Sequence, residues 1–261
     1  MSRLFAVALI AAVAVALAFL SLPVVAIFVD VGPGELIDSL DDPVTVDALK
    51  LSLETTTIAV AIILLVGTPA AWALATRRFP GRQAVMTILE LPLVLPPAVA
   101  GIGLLAALGP SGVLGGALDS LGIELVFQTA GVVVALVFVA SPFYLRQAQA
   151  AFEALDPTLL EASRTLGAGE GRTFARVACP VAFPSLLAGA ALAWGRALGE
   201  FGATLIFAGS LQGITQTAPL AIFAGFATDF SGALALSVVL VAVSAAILVG
   251  IKLVARARPT L

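Results

Sequence analysis

Long apolar segments alternate with short polar ones along the whole chain. Each of the apolar segments has about 20 residues or more, enough for a helix to cross a bilayer core of roughly 30 Å. Charged residues lie almost entirely in the connections between these segments. The pattern therefore predicts an all-α polytopic membrane protein with six transmembrane helices, at residues 4–29, 51–76, 84–108, 126–145, 182–208 and 233–254.

The first apolar segment and the connection after it each admit a second interpretation. Residues 4–29 follow a basic residue, as the core of a signal peptide would, but they exceed its usual length of about 7–15 residues. An uncleaved span is therefore favoured. Residues 30–50 are rich in carboxylates whose spacing does not match an EF-hand calcium loop, so a solvated acidic loop is favoured. These carboxylates are Asp30, Glu35, Asp38, Asp41, Asp42 and Asp47.

Prolines interrupt the third apolar segment, residues 84–108, at Pro92, Pro96 and Pro97. A proline inside a helix leaves a backbone carbonyl without its partner, and in a membrane only protein or a wet cavity can satisfy that carbonyl. Helices interrupted in this way often line a transport route. A simple packing kink is the alternative interpretation.

The basic residues predict the orientation of the six spans. Of the 13 Lys and Arg residues, only Lys50 falls on one side and Arg196 lies within a span, which leaves 13 − 2 = 11 on the other side. The side rich in Lys and Arg is the cytoplasmic one. We therefore expect a multi-pass protein of the cytoplasmic membrane with both termini in the cytoplasm. The basic residues on that side are Arg3, Arg77, Arg78, Arg82, Arg146, Arg164, Arg172, Arg176, Lys252, Arg256 and Arg258.

Composition excludes several kinds of chemistry. The chain of 261 residues is 61% hydrophobic and 11% charged, whereas a soluble domain carries about 25% charged residues. It contains no histidine, which argues against imidazole catalysis and histidine metal sites. Its single cysteine, Cys179, excludes an intrachain disulfide and a cysteine cluster. No catalytic residue, metal site or nucleic-acid-binding surface is predicted.

A short polar helix is predicted inside residues 153–180, the longest polar interruption in the second half of the chain. Asp156 followed by Pro157 is a helix-start signal, and Gly167 is a helix-stop signal because glycine adopts the left-handed conformation without strain. Leu159, Leu160, Ser163 and Leu166 are expected on one face. A helix of roughly ten residues is marginal alone. It lies either on its own protein's surface or in a socket on another subunit.

This stretch resembles the EAA loop of type I ABC-importer permeases. The family pattern is E-A-A, three residues, G, nine residues and I-x-L-P, and this chain matches the spacing throughout. Ser163, Val177 and Cys179 are small or apolar departures from it. The resemblance implies a cytoplasmic coupling helix that sits in a groove of an ATP-hydrolysing subunit. The coupling residues it implies are Glu161, Ala162, Ser163, Gly167, Val177 and Pro180.

A second constellation lies inside the fifth predicted span. Arg196 and Glu200 are four residues apart, and ionisable groups in a membrane should face protein or water. They are either a self-neutralising structural pair or the border of a transport route and its gate. Gly195 and Gly199 form a GxxxG pair, for which close helix packing is the default interpretation. The candidate route or gate residues are Arg196, Gly199, Glu200, Phe201, Gly202 and Thr204.

The sequence from Arg196 onward resembles the permeases of molybdate, tungstate and sulfate importers. The shared elements are R-A-L-G-E-F-G-A-T at 196–204, F-A-G at 207–209 and T-Q-T-x-P-L-A-I at 215–222. The last element favours molybdate, with tungstate and sulfate or thiosulfate as alternatives. The implied organisation is a first span and acidic loop (1–50), an ABC transmembrane type-1 domain (51–255) and a cytoplasmic tail (256–261).

The resemblance also implies the partners. They are a second copy of the chain, two ATP-binding ABC subunits, an extracytoplasmic oxyanion-binding protein and membrane lipid. No cofactor is expected on this chain, because ATP and Mg²⁺ would bind the ATPase. Residues 167–173 are glycine-rich but lack the lysine and the spacing of a phosphate-binding loop. Two other classes stay open: a purely structural anchor, and an ion-coupled secondary transporter, which needs titratable relays where only Glu200 and Glu90 are available.

Overall fold

The computed structural model describes residues 3–257, which form helices and connecting turns without a strand anywhere in that range. This confirms the predicted all-α class. In chain order the helices are α1 (Arg3–Asp30), α2 (Pro33–Asp41), α3 (Pro43–Thr76), α4 (Arg82–Val94), α5 (Pro97–Leu108), α6 (Gly115–Ser120), α7 (Thr129–Glu153), α8 (Pro157–Thr165), α9 (Glu170–Thr173), a π-helix (Phe174–Ala178), α10 (Cys179–Leu198), α11 (Gly202–Ala208), α12 (Ala218–Gly225) and α13 (Phe230–Ala257).

Among residues 3–257, five helices are long and apolar enough to cross a membrane. They lie in α1, α3, α7, α13 and the continuous rod Glu170–Leu198, which joins α9, the π-helix and α10. Helix α1 lies at the edge of the bundle, where it contacts α13, and none of the residues in its most apolar stretch is buried. An apolar helix with no buried face needs lipid or another protein around it.

The third predicted span is not a continuous helix. The chain bends by 118° between α4 and α5, which have 13 and 12 residues. At about 1.5 Å per residue each is roughly 20 Å long, too short to cross a bilayer core alone. The break falls at Leu95, whose extended ψ of 130° is the conformation that a following proline imposes. The pair completes a sixth span only if both halves are counted together.

Other predicted boundaries moved because local start signals extend helices into polar sequence. The acidic loop contains α2, and the second span begins at Pro43 rather than at residue 51. Asp42 caps this helix by accepting the N–H of Thr45 at 3.0 Å, and Pro43 occupies its first position. The predicted loops 109–125 and 209–231 contain α6 and α12. The fourth predicted span starts at Thr129 and continues to Glu153.

The centre of the bundle is formed by α3, α7 and α10, which meet through small side chains. Gly67 lies so close to Tyr144 that a Cβ there would be 2.9 Å from its ring. The Tyr144 hydroxyl is 2.6 Å from the Thr68 hydroxyl, so its polar end is satisfied within the core. Small residues allow membrane helices to approach closely, because little apolar driving force acts between helices in lipid.

Different contacts join the helices at the two ends of the bundle. At one end, which we call the basic end, Arg82 binds Glu153 at 2.6 Å and donates to the Leu74 carbonyl at 2.7 Å. These contacts join the start of α4 to the ends of α3 and α7. At the opposite end, Ser52 accepts the N–H of Ala218 at 2.7 Å, which joins α3 to α12. Four of the basic residues predicted on the cytoplasmic side, Arg3, Lys252, Arg256 and Arg258, have side chains outside what the structure describes.

Candidate functional site

The predicted short helix exists as α8, at the basic end of the bundle. Its first turn is capped by Asp156, whose carboxylate accepts the Thr158 N–H at 2.9 Å. This hydrogen bond holds the pKa of Asp156 below its usual value. Pro157 occupies the first position, where no backbone N–H is missed. Both parts of the predicted start signal are confirmed.

The end of α8 is closed by a Schellman motif around Gly167. This glycine has φ +80°, in the left-handed region, and its N–H donates to the Arg164 carbonyl at 2.9 Å. The next residue, Ala168, donates to the Ser163 carbonyl at 3.1 Å. A Cβ at position 167 would meet nothing within 4 Å, so the need for glycine here is conformational rather than steric.

The four residues predicted to share one face of α8, Leu159, Leu160, Ser163 and Leu166, are buried to different extents. Ser163 is buried and its hydroxyl lies 2.9 Å from that of Thr173. Leu160 is half-buried against the core, whereas Leu159 and Leu166 are 44% and 88% exposed. Ser163 and Leu160 therefore anchor the helix, while Leu159 and Leu166 stay exposed. The other predicted coupling residues Glu161, Ala162, Gly167 and Pro180 are exposed, and Val177 is half-buried.

The π-helix follows the coupling loop and leads into α10. Its wider turn is seen in the N–H of Cys179, which donates to the Phe174 carbonyl five residues earlier. Pro180 comes next and has no N–H to donate, and its ring crowds the carbonyl four residues before it. Such π segments often occur at functional sites. Here it lies in the helix that joins the coupling loop to the membrane bundle.

The second candidate site lies at a break in the fifth predicted span. Helix α10 ends at Leu198, and α11 begins at Gly202. One oxygen of Glu200 accepts the N–H of Ala203 at 2.7 Å, and the other lies 2.5 Å from the guanidinium of Arg196. The predicted pair therefore exists, although Glu200 lies beyond the helix end rather than on a continuous helix face. It links α10 to the first turn of α11.

The pair is asymmetric in its exposure to solvent. The Glu200 side chain is 1% exposed and the Arg196 side chain is 27% exposed. Because a guanidinium carries five N–H donors in a fixed fork, Arg196 can bind Glu200 and still direct other donors toward the surface. The arrangement combines a balanced charge with a guanidinium that is partly exposed.

The remaining predicted route residues have different surroundings. Phe201 packs on Phe223 with ring centroids 4.8 Å apart. Thr204 is fully buried and its hydroxyl has no hydrogen-bond partner among the described residues, so it does not face an open route within this chain. A Cβ at Gly199 would meet only the Gly195 carbonyl, at 3.6 Å. Among residues 3–257, no other helix packs closely against this GxxxG pair in the way that the default interpretation had predicted.

Gly202 lies where α5 and α11 approach closely. A Cβ there would lie 2.6 Å from the Cβ of Pro97, on the first turn of α5. The contact places the second half of the interrupted third segment against α11, beside the Arg196–Glu200 pair. Sequence spacing could not have indicated this, because Gly202 and Pro97 are far apart in the chain.

A family model described as binding-protein-dependent transport system inner membrane component matches residues 64–258. The chain belongs to this family. The permease is 39% identical over 233 residues to the molybdenum transport system permease protein ModB of Mycobacterium tuberculosis, covering 89% of this chain and 88% of the relative. It is 35% identical over 214 residues to the probable sulfate transport system permease protein cysT of Chlorokybus atmophyticus, covering 82% of this chain and 75% of the relative.

The fold of the permease is also that of solved ABC importers. It is similar to a chain of a bacterial ABC transporter involved in the import of the acidic polysaccharide alginate, with a TM-score of 0.77 and 19% identity, covering 97% of this chain and 95% of that one. At this identity the likeness concerns the fold alone. The family match makes this chain an inner membrane component of a binding-protein-dependent transport system.

Proposed function

We propose that this permease moves an oxyanion across the cytoplasmic membrane, driven by a separate ATPase, and that its substrate is molybdate. The substrate assignment rests on the 39% identity to ModB over 89% of the chain. The sulfate permease relative is 35% identical over 82%. The element T-Q-T-x-P-L-A-I at 215–222 also favours molybdate. Tungstate and sulfate or thiosulfate are the competing substrates in the test below.

The exposed face of α8 supports a docking role toward the ATPase. Leu159 and Leu166 are 44% and 88% exposed on a helix that is firmly capped at both ends and anchored by Ser163. Exposed apolar side chains on a rigid, polar-rimmed element are typical of a protein interface. ATP and Mg²⁺ would bind to the partner, and this chain itself would carry no cofactor.

The complete transporter would contain two copies of this permease, two ATPase subunits and an extracytoplasmic binding protein. A two-fold pair of permeases suits a two-fold pair of ATPases. The alginate transporter that this chain resembles was solved in complex with a substrate-bound periplasmic protein. The basic end, with the docking helix and both termini, would face the cytoplasm because Lys and Arg concentrate on that side.

In this mechanism, ATP binding closes the ATPase pair and draws the two docking helices together. The spans then tilt from an inward-open to an outward-open arrangement, and the binding protein delivers the anion. Arg196 borders the route: its charge is largely balanced by Glu200, so it offers donors without trapping a dianion. Gly199, Phe201 and Gly202 form the turn that positions this pair beside α5.

The substrate is tested by uptake in cells that lack this chain. Reintroducing the permease should restore molybdate uptake, and the excess of unlabelled molybdate needed to halve it should be far smaller than that of sulfate. Competition by unlabelled tungstate shows whether the site is selective for molybdate or accepts oxyanions generally. Uptake restored for sulfate but not for molybdate would overturn the substrate assignment and leave the family unaffected.

The docking assignment is tested with two matched substitutions. Leu166→Glu places a charge on the exposed face of α8, and Leu121→Glu places the same charge at the opposite end, where Leu121 is also highly exposed. We expect Leu166→Glu to abolish co-purification with the ATPase and Leu121→Glu to retain it. Equal co-purification of the two variants would show that α8 is not the docking surface.

The rival classes make different predictions. A secondary transporter would move the anion in vesicles that contain this chain alone, without ATP. A structural anchor would transport nothing in any assembly. ATP-dependent uptake that requires the ATPase excludes both.

A further inference from the structure

Three aromatic rings from three different elements meet at the basic end of the bundle. Trp72 lies near the end of α3, Phe152 near the end of α7, and Phe174 at the start of the π-helix. The Trp72 ring is 5.3 Å from that of Phe152 and 5.7 Å from that of Phe174, and the two phenylalanines are 6.1 Å apart. We call these residues the aromatic triad.

The docking helix is attached to the bundle beside this triad. Its contacts are chiefly with α9 and the π-helix. Ser163 and Thr173 approach within 2.9 Å at a buried site, and Arg164 binds Glu170 at 3.2 Å on the surface. Thr173 is fully buried and immediately precedes Phe174 in the chain. A displacement of α8 therefore reaches Phe174 across a single buried hydrogen bond and one peptide unit.

The other connection between α8 and the bundle is the short link from α7, in which Leu155 packs against the main core cluster. The residues between α7 and α8, Ala154 to Asp156, are non-helical, with Ala154 and Asp156 exposed. Trp72 and Phe152 are buried in the main core cluster, and the half-buried Phe174 packs against it. Packed interiors transmit strain rather than absorbing it.

We propose that Trp72, Phe152 and Phe174 are positioning residues that transmit the displacement of the docking helix to α3 and α7. Phe174 moves with α8 because Thr173 is bound to Ser163. Its ring contacts both other rings, so a shift of the π-helix displaces the ends of two long spans together. The wider π turn supplies a place where the register of the fifth span adjusts without breaking the helix.

This inference rests on the proposed coupling to an ATPase, and its test separates the two. The assembled transporter, reconstituted in lipid vesicles with its ATPase and binding protein, is assayed for molybdate transported and for ATP hydrolysed. The test variants are Phe174→Leu and Phe152→Leu. The control is Phe143→Leu, the same substitution on α7 at a half-buried phenylalanine outside the triad.

The expected result is uncoupling without loss of assembly. Both triad variants should keep their ATPase subunits and hydrolyse ATP, but transport at least about fivefold less molybdate per ATP, the lower end of typical coupling between sites. Phe143→Leu should match the wild type. Trp72→Phe, which keeps an aromatic ring, should recover most of the ratio that Trp72→Leu loses.

Three outcomes would overturn the inference. The first is an unchanged ratio of molybdate to ATP in the triad variants. The second is an equal loss in Phe143→Leu. The third is failure of every triad variant, including Trp72→Phe, to assemble, which would make the triad a folding element only. Failure of the wild-type chain to bind an ATPase or to use ATP would instead refute the proposed function.

Discussion

The close approach of α5 and α11 can be tested with one added methyl group. Gly202→Ala would place a Cβ 2.6 Å from the Cβ of Pro97 and 3.4 Å from its carbonyl carbon. Carbon atoms pack favourably at about 3.5–4.0 Å, so the first of these distances is short by roughly 1 Å. The proline ring cannot rotate away. The two helices must therefore separate, or the break before α11 must shift.

The expected cost follows from the measured range for overpacked cores. We expect Gly202→Ala to lower the free energy of unfolding by about 1–3 kcal/mol. Gly199→Ala is the matched control three residues earlier, because its Cβ would lie 3.6 Å from the nearest atom. Its φ of −87° is open to alanine, and glycine-to-alanine changes at such positions typically stabilise a protein by about 0.4–1 kcal/mol.

The measurement is unfolding of the purified permease in mixed micelles with increasing SDS, followed by the fluorescence of Trp72 and Trp194. The midpoint should fall for Gly202→Ala and stay constant or rise for Gly199→Ala. If Gly202→Ala unfolds at the wild-type midpoint, α5 does not contact α11 as described. If the two variants lose the same stability, the effect belongs to the turn rather than to the helix contact.

Three further predictions concern the candidate sites. Glu200→Gln keeps an oxygen for backbone capping but removes the charge that faces Arg196. Because the arginine is partly exposed, we expect the free energy of unfolding to fall by about 3 kcal/mol, the lower end of the cost of breaking a buried pair; an unchanged unfolding midpoint would mean that the pair is solvated. Gly167→Asp forces a side chain into a left-handed conformation, at a conformational cost of about 1–2 kcal/mol, and adds a charge to the docking surface. Pull-down with the ATPase should therefore fail although the isolated variant still folds; normal pull-down and uptake would contradict this. The hydrogen bond from Thr158 lowers the pKa of Asp156, so its carboxylate stabilises α8 above about pH 4, and this stabilisation is lost as the pH falls through the lowered pKa. Amide hydrogen exchange in α8, corrected for its intrinsic rate, should therefore accelerate below about pH 4 in the wild type but not in Asp156→Asn.

Features that depend on a few neighbouring residues could be predicted from the sequence. The bounds of α8 follow from Asp156 and Gly167, because capping hydrogen bonds and a left-handed turn involve residues at most five positions apart. The number of apolar segments follows from the length that a bilayer requires. The family followed from the EAA loop, where residue identity and spacing agree. Each of these is settled within one segment.

Sequence reasoning reached only part of the Arg196–Glu200 site. The pairing of the two charges followed from their spacing of four residues. The end of α10 at Leu198 did not, because the stretch from 182 to 208 has the composition of one continuous span. Capping of α11 by Glu200 depends on the break that allows its carboxylate to turn back toward Ala203.

The sequence by itself determined the membrane class, the short capped helix and the prolines that interrupt the third segment. Only the tertiary structure decided the 118° bend at that interruption, the contact of Gly202 with Pro97 and the meeting of the aromatic triad. The physical reason is range. Caps and prolines act on the backbone within one or two turns, whereas these contacts join residues from 22 to more than 100 positions apart, whose approach depends on how every helix between them packs.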